Sequence, residues 1–183
     1  MSYICTVKQG DLLTEEDATF IVNASNTRLV LGSGVSMAFR DHCGKALQDE
    51  MSESLENMQE PLRQGDVIAT SPGAAVNFKY ALHAAIMNYD ADTNYDDSAP
   101  TLDVIKRSLE NIEGYLVRYD EKNSKPMKLV LALMGCGVGN LNKEDVIQLY
   151  KAFFEREVSF TCEVVVYGHS RGDYELIKSI LKC

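Results

Sequence analysis

Residues 20–44 read Phe20-Ile21-Val22-Asn23-Ala24-Ser25-Asn26-Thr27-Arg28-Leu29-Val30-Leu31-Gly32-Ser33-Gly34-Val35-Ser36-Met37-Ala38-Phe39-Arg40-Asp41-His42-Cys43-Gly44. The stretch opens on an apolar, β-branched run, Phe20 to Val22, which predicts a buried strand. Asn23, Ser25 and Asn26 follow as small polar residues at the strand's exit. Gly32-Ser33-Gly34 then leads into Val35 to Cys43, where Val35, Ala38 and Phe39 fall at helical spacing. A strand, a polar exit, a glycine turn and a helix make a site for an anion. Glycines let backbone N–H groups approach closely, and a helix N-terminus carries partial positive charge.

A second glycine loop has the same setting. Gly135-Cys136-Gly137-Val138-Gly139-Asn140 follows the apolar strand predicted over Leu129 to Met134. It precedes a helix that Asn142 is placed to cap, with Val146, Leu149, Tyr150 and Phe153 facing inward. Two such loops, each between a strand and an amphipathic helix, point to a clamp around phosphate. Neither is a standard nucleotide motif: the first lacks the third glycine of a dinucleotide fingerprint, and no G-x-x-x-x-G-K-[ST] occurs.

Further outward, Tyr3 to Lys8 reads as a first strand and Leu12 to Asp17 as a turn or short helix. Strand 2 is placed at Thr19 to Asn23. Lys45 to Met58 is a helix, Asp66 to Ser71 is a strand, and Tyr80 to Met87, apolar and short, is a central strand with a buried helix segment as the alternative. Asn88 to Ala99 is an exposed loop, and Pro100 opens a long helix with Leu102, Ile105, Leu109, Ile112 and Leu116 on one face. Glu121 to Pro126 is a polar connection, Cys162 to Tyr167 the last strand and Asp173 to Leu181 the last helix. Strands alternating with helices predict an α/β fold with a mostly parallel sheet covered on both faces. In such sheets ligands lie beyond the carboxyl ends of the strands, where both glycine loops belong. The 183 residues suit one domain spanning 1–183.

The net charge of −9 disfavours nucleic acid as a partner. An anionic ligand must therefore be held by amides and helix dipoles rather than by a Lys/Arg cluster. No apolar run reaches the roughly 18 residues of a membrane span. The N-terminal residues carry no signal-peptide pattern, so a cytoplasmic location and no membrane partner are expected. The five cysteines (Cys5, Cys43, Cys136, Cys162, Cys183) show no C-x-x-C spacing, and His42, His83 and His169 show no metal-ligand spacing. No metal or cofactor is expected. His83 lies in an apolar strand and reads as structural, while His42 and His169 fall near the proposed loops. Cys136 sits where loop amides could lower its pKa, or where a small residue simply fits. Gly168-His169-Ser170-Arg171-Gly172 matches G-x-S-x-G, but no histidine follows Ser170, as a nucleophile elbow requires.

Taken together, Gly10-Asp11-Leu12, Ile21 to Asn26, Gly32 to Val35, Gly65-Asp66-Val67-Ile68-Ala69-Thr70, Lys79-Tyr80-Ala81-Leu82-His83 and the late glycine loop resemble the macrodomain family, the ADP-ribose-binding module. The resemblance covers nearly the whole chain. It implies a three-layer α/β/α sandwich with a mixed, mostly parallel sheet of six or seven strands. It places the adenine amino group on Asp11 with the Leu12 amide nearby. It gives Tyr167 and His169 as the candidates to stack on the ring. Gly32, Ser33, Gly34, Val35 and Ser36 would line one side of the diphosphate. Gly135, Cys136, Gly137, Val138, Gly139 and Asn140 would cover the other side and the distal ribose. Asn23 and Asn26 would face the ligand, with Asn26 by the distal ribose as the one catalytic candidate. The family's best-known hydrolases carry an aspartate where this chain has Ser36. The class that removes ADP-ribose from acidic side chains carries a lysine and an aspartate where this chain has Arg40 and Gly139. The implied function is binding of ADP-ribose, free or protein-linked. Slow hydrolysis of ADP-ribose esters or ADP-ribose 1″-phosphate, efficient hydrolysis of acidic-residue-linked ADP-ribose, and non-catalytic reading of ADP-ribosylated protein are the alternatives. A monomer is the favoured state.

Overall fold

Alternation along the strands decides which helices they meet. The computed structural model describes residues 1–32, 34–89 and 99–183. In it, strand β2 (Ala18–Asn26) turns Phe20 and Val22 to one face of the sheet and Ile21 to the other. β4 (Phe78–Met87) does the same with Leu82, Ala84 and Ile86 against Ala81 and Ala85. β5 (Met127–Leu131) splits Leu129 and Leu131 from Val130, and β6 (Cys162–Gly168) splits Val164 and Val166 from Val165 and Tyr167. A strand apolar on both faces needs cover on both.

One cover is the helix pair α1 (Val35–Cys43) and α2 (Lys45–Glu56), which buries Phe39, Cys43, Leu47 and Met51. The other is α3 (Leu102–Asn123), α4 (Lys143–Phe154) and α5 (Arg171–Leu181), which bury Ile105, Leu109, Ile112, Leu116, Val146, Tyr150 and Ile177. With β1 (Tyr3–Gln9) and β3 (Val67–Thr70), the strands form one six-stranded sheet in the order β1-β6-β5-β2-β4-β3. All neighbours are parallel except β3, which runs antiparallel to β4 at the edge. The architecture is the mixed α/β/α sandwich expected, with six strands.

Most boundaries fall within two residues of the sequence reading, and the differences that bear on the site or exceed that are these. β2 does not stop at Asn23; Ala24, Ser25 and Asn26 remain strand because they pair with Ala84, Ala85 and Met87 of β4, with a register shift between Ser25 and Asn26. A central strand's pairing outweighs the polarity of its last residues. α3 begins after Thr101, whose hydroxyl accepts from Val104 N, so Pro100 precedes the cap. The same helix continues to Asn123 and ends at Ser124, which takes a left-handed conformation. β5 ends at Leu131, and Leu133 and Met134 already belong to the approach to the second loop. Most of the expected loop after Asn88 lies outside the described residues.

Candidate functional site

β2 and β5 are neighbours, and the chain leaves them in different directions. From β2 it enters α1, α2 and then β3 beyond β4. From β5 it enters α4 and then β6 on the other side. This is a topological switch point, where an open sheet leaves a crevice at the carboxyl ends of its strands. A cavity of about 140 Å³ opens there, lined by Ala24, Ser25 and Asn26 of β2, Ile86 and Met87 of β4, both glycine loops, Tyr89 and Leu133.

The first loop is pinned from below. Leu29 and Leu31 are buried in the α1/α2 core, Leu29 with φ of 51°. Asn26 Nδ2 donates to Val30 O at 2.9 Å, and its Oδ1 accepts from Arg28 N at 3.1 Å and Val30 N at 3.3 Å. Gln48 of α2 accepts from Leu31 N at 2.8 Å and donates to Leu29 O at 2.9 Å. Gln48 was not legible as part of the site, because only the fold brings it to the loop. Thus held, the loop presents Gly32, Gly34, Val35 and Ser36 to the cavity. Gly34 is the N-cap of α1 with φ of 57° and ψ of −131°, and among the described residues, which do not include the expected Ser33, no side chain caps the helix. The first N–H groups of such a helix have no intrahelical acceptor.

Ser36 closes the floor. Its hydroxyl lies 3.0 Å from Asn23 Oδ1 and 3.1 Å from Ala24 O, with one proton to donate. Asn23 Nδ2 meets His83 Nδ1 at 3.0 Å, and His83 Nε2 meets Thr70 Oγ1 at 2.8 Å. The asparagine donates, so Nδ1 is an acceptor and Nε2 carries the proton. Burial pushes the His83 pKa down to about 3, which keeps the ring neutral. Asn23 and His83 are wholly buried. Asn23 therefore supports the floor through Ser36 rather than lining the cavity, and His83 has the structural role expected.

The second loop supplies Gly135, Gly137, Val138 and Gly139. Tyr150 sets its entry: the phenol, fully buried, donates to Ala132 O at 2.6 Å and accepts from Met134 N at 2.9 Å. Cys136 turns inward and packs against the core under α3–α5, and Asn140 is exposed outside the cavity with φ of 57°. Burial raises the Cys136 thiol to about 11, the opposite of activation by loop amides. A Cβ at Gly139 would meet Pro100 Cγ at 2.5 Å and Gly135 O at 2.6 Å, so the position is closed to any side chain unless they move.

The other expected residues are spread along the same edge or removed from it. Gly10 N donates to Gly168 O at 2.9 Å, so Asp11 and His169 follow the paired ends of β1 and β6, both exposed. Asp11 Oδ1 accepts from Leu13 N at 2.9 Å and caps the short turn Leu12–Thr14, in which Leu12 is buried. Tyr167 belongs to β6 and is buried in the α1/α2 core, so of the two aromatic candidates only His169 stands free at the edge. His42 lies elsewhere: its Nε2 is 2.8 Å from Asn77 Oδ1 and its ring stacks on Phe78, at the start of β4 rather than its carboxyl end. Ser170 accepts from Asp173 N at 3.1 Å as the N-cap of α5, which accounts for the G-x-S-x-G match. Ala24 and Ser25, which lie in the quoted run Ile21 to Asn26 but were given no ligand contact, also line the cavity, as do Ile86, Met87, Tyr89 and Leu133, which no motif marks.

The Macro domain family model matches residues 22–150. This chain belongs to the macrodomain family. Among curated relatives it is similar to an uncharacterized protein of Pyrobaculum aerophilum, 40% identical over 76 residues, 42% of this chain and 40% of the relative. It is also similar to an uncharacterized protein of Aquifex aeolicus, 26% identical over 132 residues, 72% of this chain and 70% of the relative. The match to the Pyrobaculum protein thus spans well under two thirds of that relative's length. Among solved structures the macrodomain resembles an Oceanobacillus iheyensis macrodomain variant with ADPR, at TM-score 0.74 and 22% identity, covering 97% of this chain and 91% of that one. It also resembles the Trypanosoma brucei macrodomain in complex with ADP-ribose, at TM-score 0.69 and 16% identity, covering 96% and 68%. At these identities the structural likenesses speak to the fold. Among the described residues, no helix of the macrodomain is long and apolar enough to cross a membrane.

Proposed function

We propose that this macrodomain, as one module over 1–183, binds ADP-ribose, free or protein-linked, in the cleft between its two glycine loops. The observation that carries the reading is the N-terminus of α1 at the switch point, capped by no described side chain and facing a second glycine loop. Among the described residues that line the cleft there is no lysine, arginine or histidine. Amides and a helix dipole suit a diphosphate in an acidic protein. Adenine would lie at the β1/β6 end, with Asp11 as acceptor and His169 as the ring beside it. The diphosphate would lie between Gly32–Ser36 and Gly135–Gly139, and the distal ribose at the β2/β4 end.

The same cleft argues for slow chemistry at most. Its described lining holds no carboxylate. Ser36 stands where the best-known hydrolases of the family place an aspartate, and a hydroxyl that donates to Asn23 or Ala24 is a poor base at neutral pH. Gly139 has no room for the second-loop aspartate. Asn26 is engaged with the loop backbone, so we assign it to positioning rather than to proton transfer. Any turnover of ADP-ribose esters or of ADP-ribose 1″-phosphate would come from held geometry alone.

Calorimetric titration with ADP-ribose, with AMP and NAD as controls, tests the reading. Saturable binding in the micromolar range or tighter, with AMP clearly weaker, is the expected result. No binding of ADP-ribose would remove it.

A further inference from the structure

We infer that Ser25 is a specificity residue for the macrodomain's ligand, its hydroxyl reading a hydroxyl group of the second, distal pentose. The inference rests on the ADP-ribose reading above and gives a role to a side chain to which the resemblance assigned none. Among the described residues, Ser25 Oγ is the one buried side-chain nitrogen or oxygen without a hydrogen-bond partner. A buried, unpaired hydroxyl is a net cost to the fold. Nothing in the packing asks for one, because Ser25 pairs with Ala85 and is flanked by Ala24 and Ala84. Alanine would fill the same space. Ser36, across the cleft floor, shows the contrast, since its hydroxyl is engaged by Asn23 and Ala24.

Position along the sheet edge selects the part of the ligand. Asp11 and His169 stand at β1/β6, the two loops meet over β5/β2, and Ser25 lies on β2 against β4. With strands spaced about 4.8 Å apart, the span from β1/β6 to β2/β4 is about 14 Å. That is a length for a nucleoside, a diphosphate and a further sugar laid across the strand ends in turn. Ser25 belongs at the sugar end, in the cleft wall beside Asn26, whose own amide is occupied by the loop. A serine reaches any of three staggered positions by turning about χ1, so Oγ swings to a bound hydroxyl without moving the strand.

Two measurements on Ser25→Ala test this. By calorimetry, ADP-ribose affinity should fall about tenfold, whereas ADP, which lacks the distal pentose, should bind as it does to the wild type. By thermal unfolding without ligand, the variant should melt at the wild-type temperature or above. Unchanged ADP-ribose affinity would overturn the inference. Parallel losses for both ligands would move Ser25 to the diphosphate and overturn it too. A marked fall in melting temperature would show that the hydroxyl serves the fold. A wild type that binds neither ligand would remove the ADP-ribose reading itself, and this inference with it.

Discussion

The two glycine loops look alike in sequence and work differently. At the first, a Cβ added to Gly32 or Gly34 would meet nothing within 4 Å among the described residues, so crowding by these does not require the glycines. Gly34 is needed for its backbone, at φ of 57°, which turns the chain into a helix that no described side chain caps and leaves the amides of α1 facing the cleft. At the second loop Gly135 and Gly139 are needed for closeness, and Gly135 also for its φ of 79°. A Cβ on Gly135 would meet Leu141 Cδ1 at 2.7 Å, and one on Gly139 would meet Pro100 and Gly135 O. The helix that follows is already capped, because Asn142 Oδ1 accepts from Asp145 N at 3.1 Å. One loop therefore offers an electrostatic surface and the other a shaped wall. The same Gly-x-Gly pattern after a strand says which edge of the sheet it occupies, but not which of these two jobs it does.

Four variants sharpen or break that contrast. The largest effect is expected at Gly137, the second-loop position where a Cβ would meet nothing among the described residues and φ is not left-handed. Gly137→Glu should place a carboxylate in the cleft and lower ADP-ribose affinity by ~100-fold or more with the melting temperature retained, since like charges held together cost several kcal/mol. Retained affinity would mean the diphosphate does not pass this wall. Tyr150→Phe should loosen the entry to the second loop alone. Leaving Met134 N–H and Ala132 O unpaired should cost about 2 kcal/mol in denaturant unfolding. The first loop's floor should instead show itself in pH. The His83 pKa is about 3 in the fold, below the ordinary value of 6.5, so the unfolded chain takes up the proton first. Stability is then fully present above about pH 6.5 and lost as the pH falls toward 3, by about 2 kcal/mol at pH 5. His83→Gln should flatten that slope; an unchanged slope would place the titration elsewhere. The smallest effect is expected away from both loops. Asp11→Ala should weaken ADP-ribose binding about 3- to 10-fold, and unchanged affinity would undo the placement of adenine.

The fold was largely legible because its signals are periodic. The apolar runs of β2 and β5 and the helical spacing of α1 and α3 give element types, and their order gives a mostly parallel sheet. Ends were less legible, because pairing partners set them. Ser25 and Asn26 look like a loop in sequence and are strand only because β4 runs beside them. At the site, the backbone-bearing glycines were readable from their position after strands. Side chains that act through packing were not. Tyr167 looked available as an aromatic at the last strand's end, yet one further step of alternation turns it into the α1/α2 core. For Cys136 the loop position left an activated thiol and a small residue that fits both open, and only its inward packing decides for the second. Gln48 and Tyr150, which hold the two loops in place, lie 17 and 16 residues along the chain from the groups they bind.

The central claim is that backbone amides at the start of α1 and in the second loop hold the diphosphate. Its most direct test is a backbone amide NMR titration of the 15N-labelled protein with ADP-ribose. The account predicts the largest shifts at Gly34, Val35 and Ser36 and at Gly137 to Gly139, saturating together with those of Asp11 and His169. The contradicting result is saturable binding that leaves these amides still and moves residues on the α3 side instead, such as the aromatic and basic cluster of Tyr80, Tyr115 and Arg118.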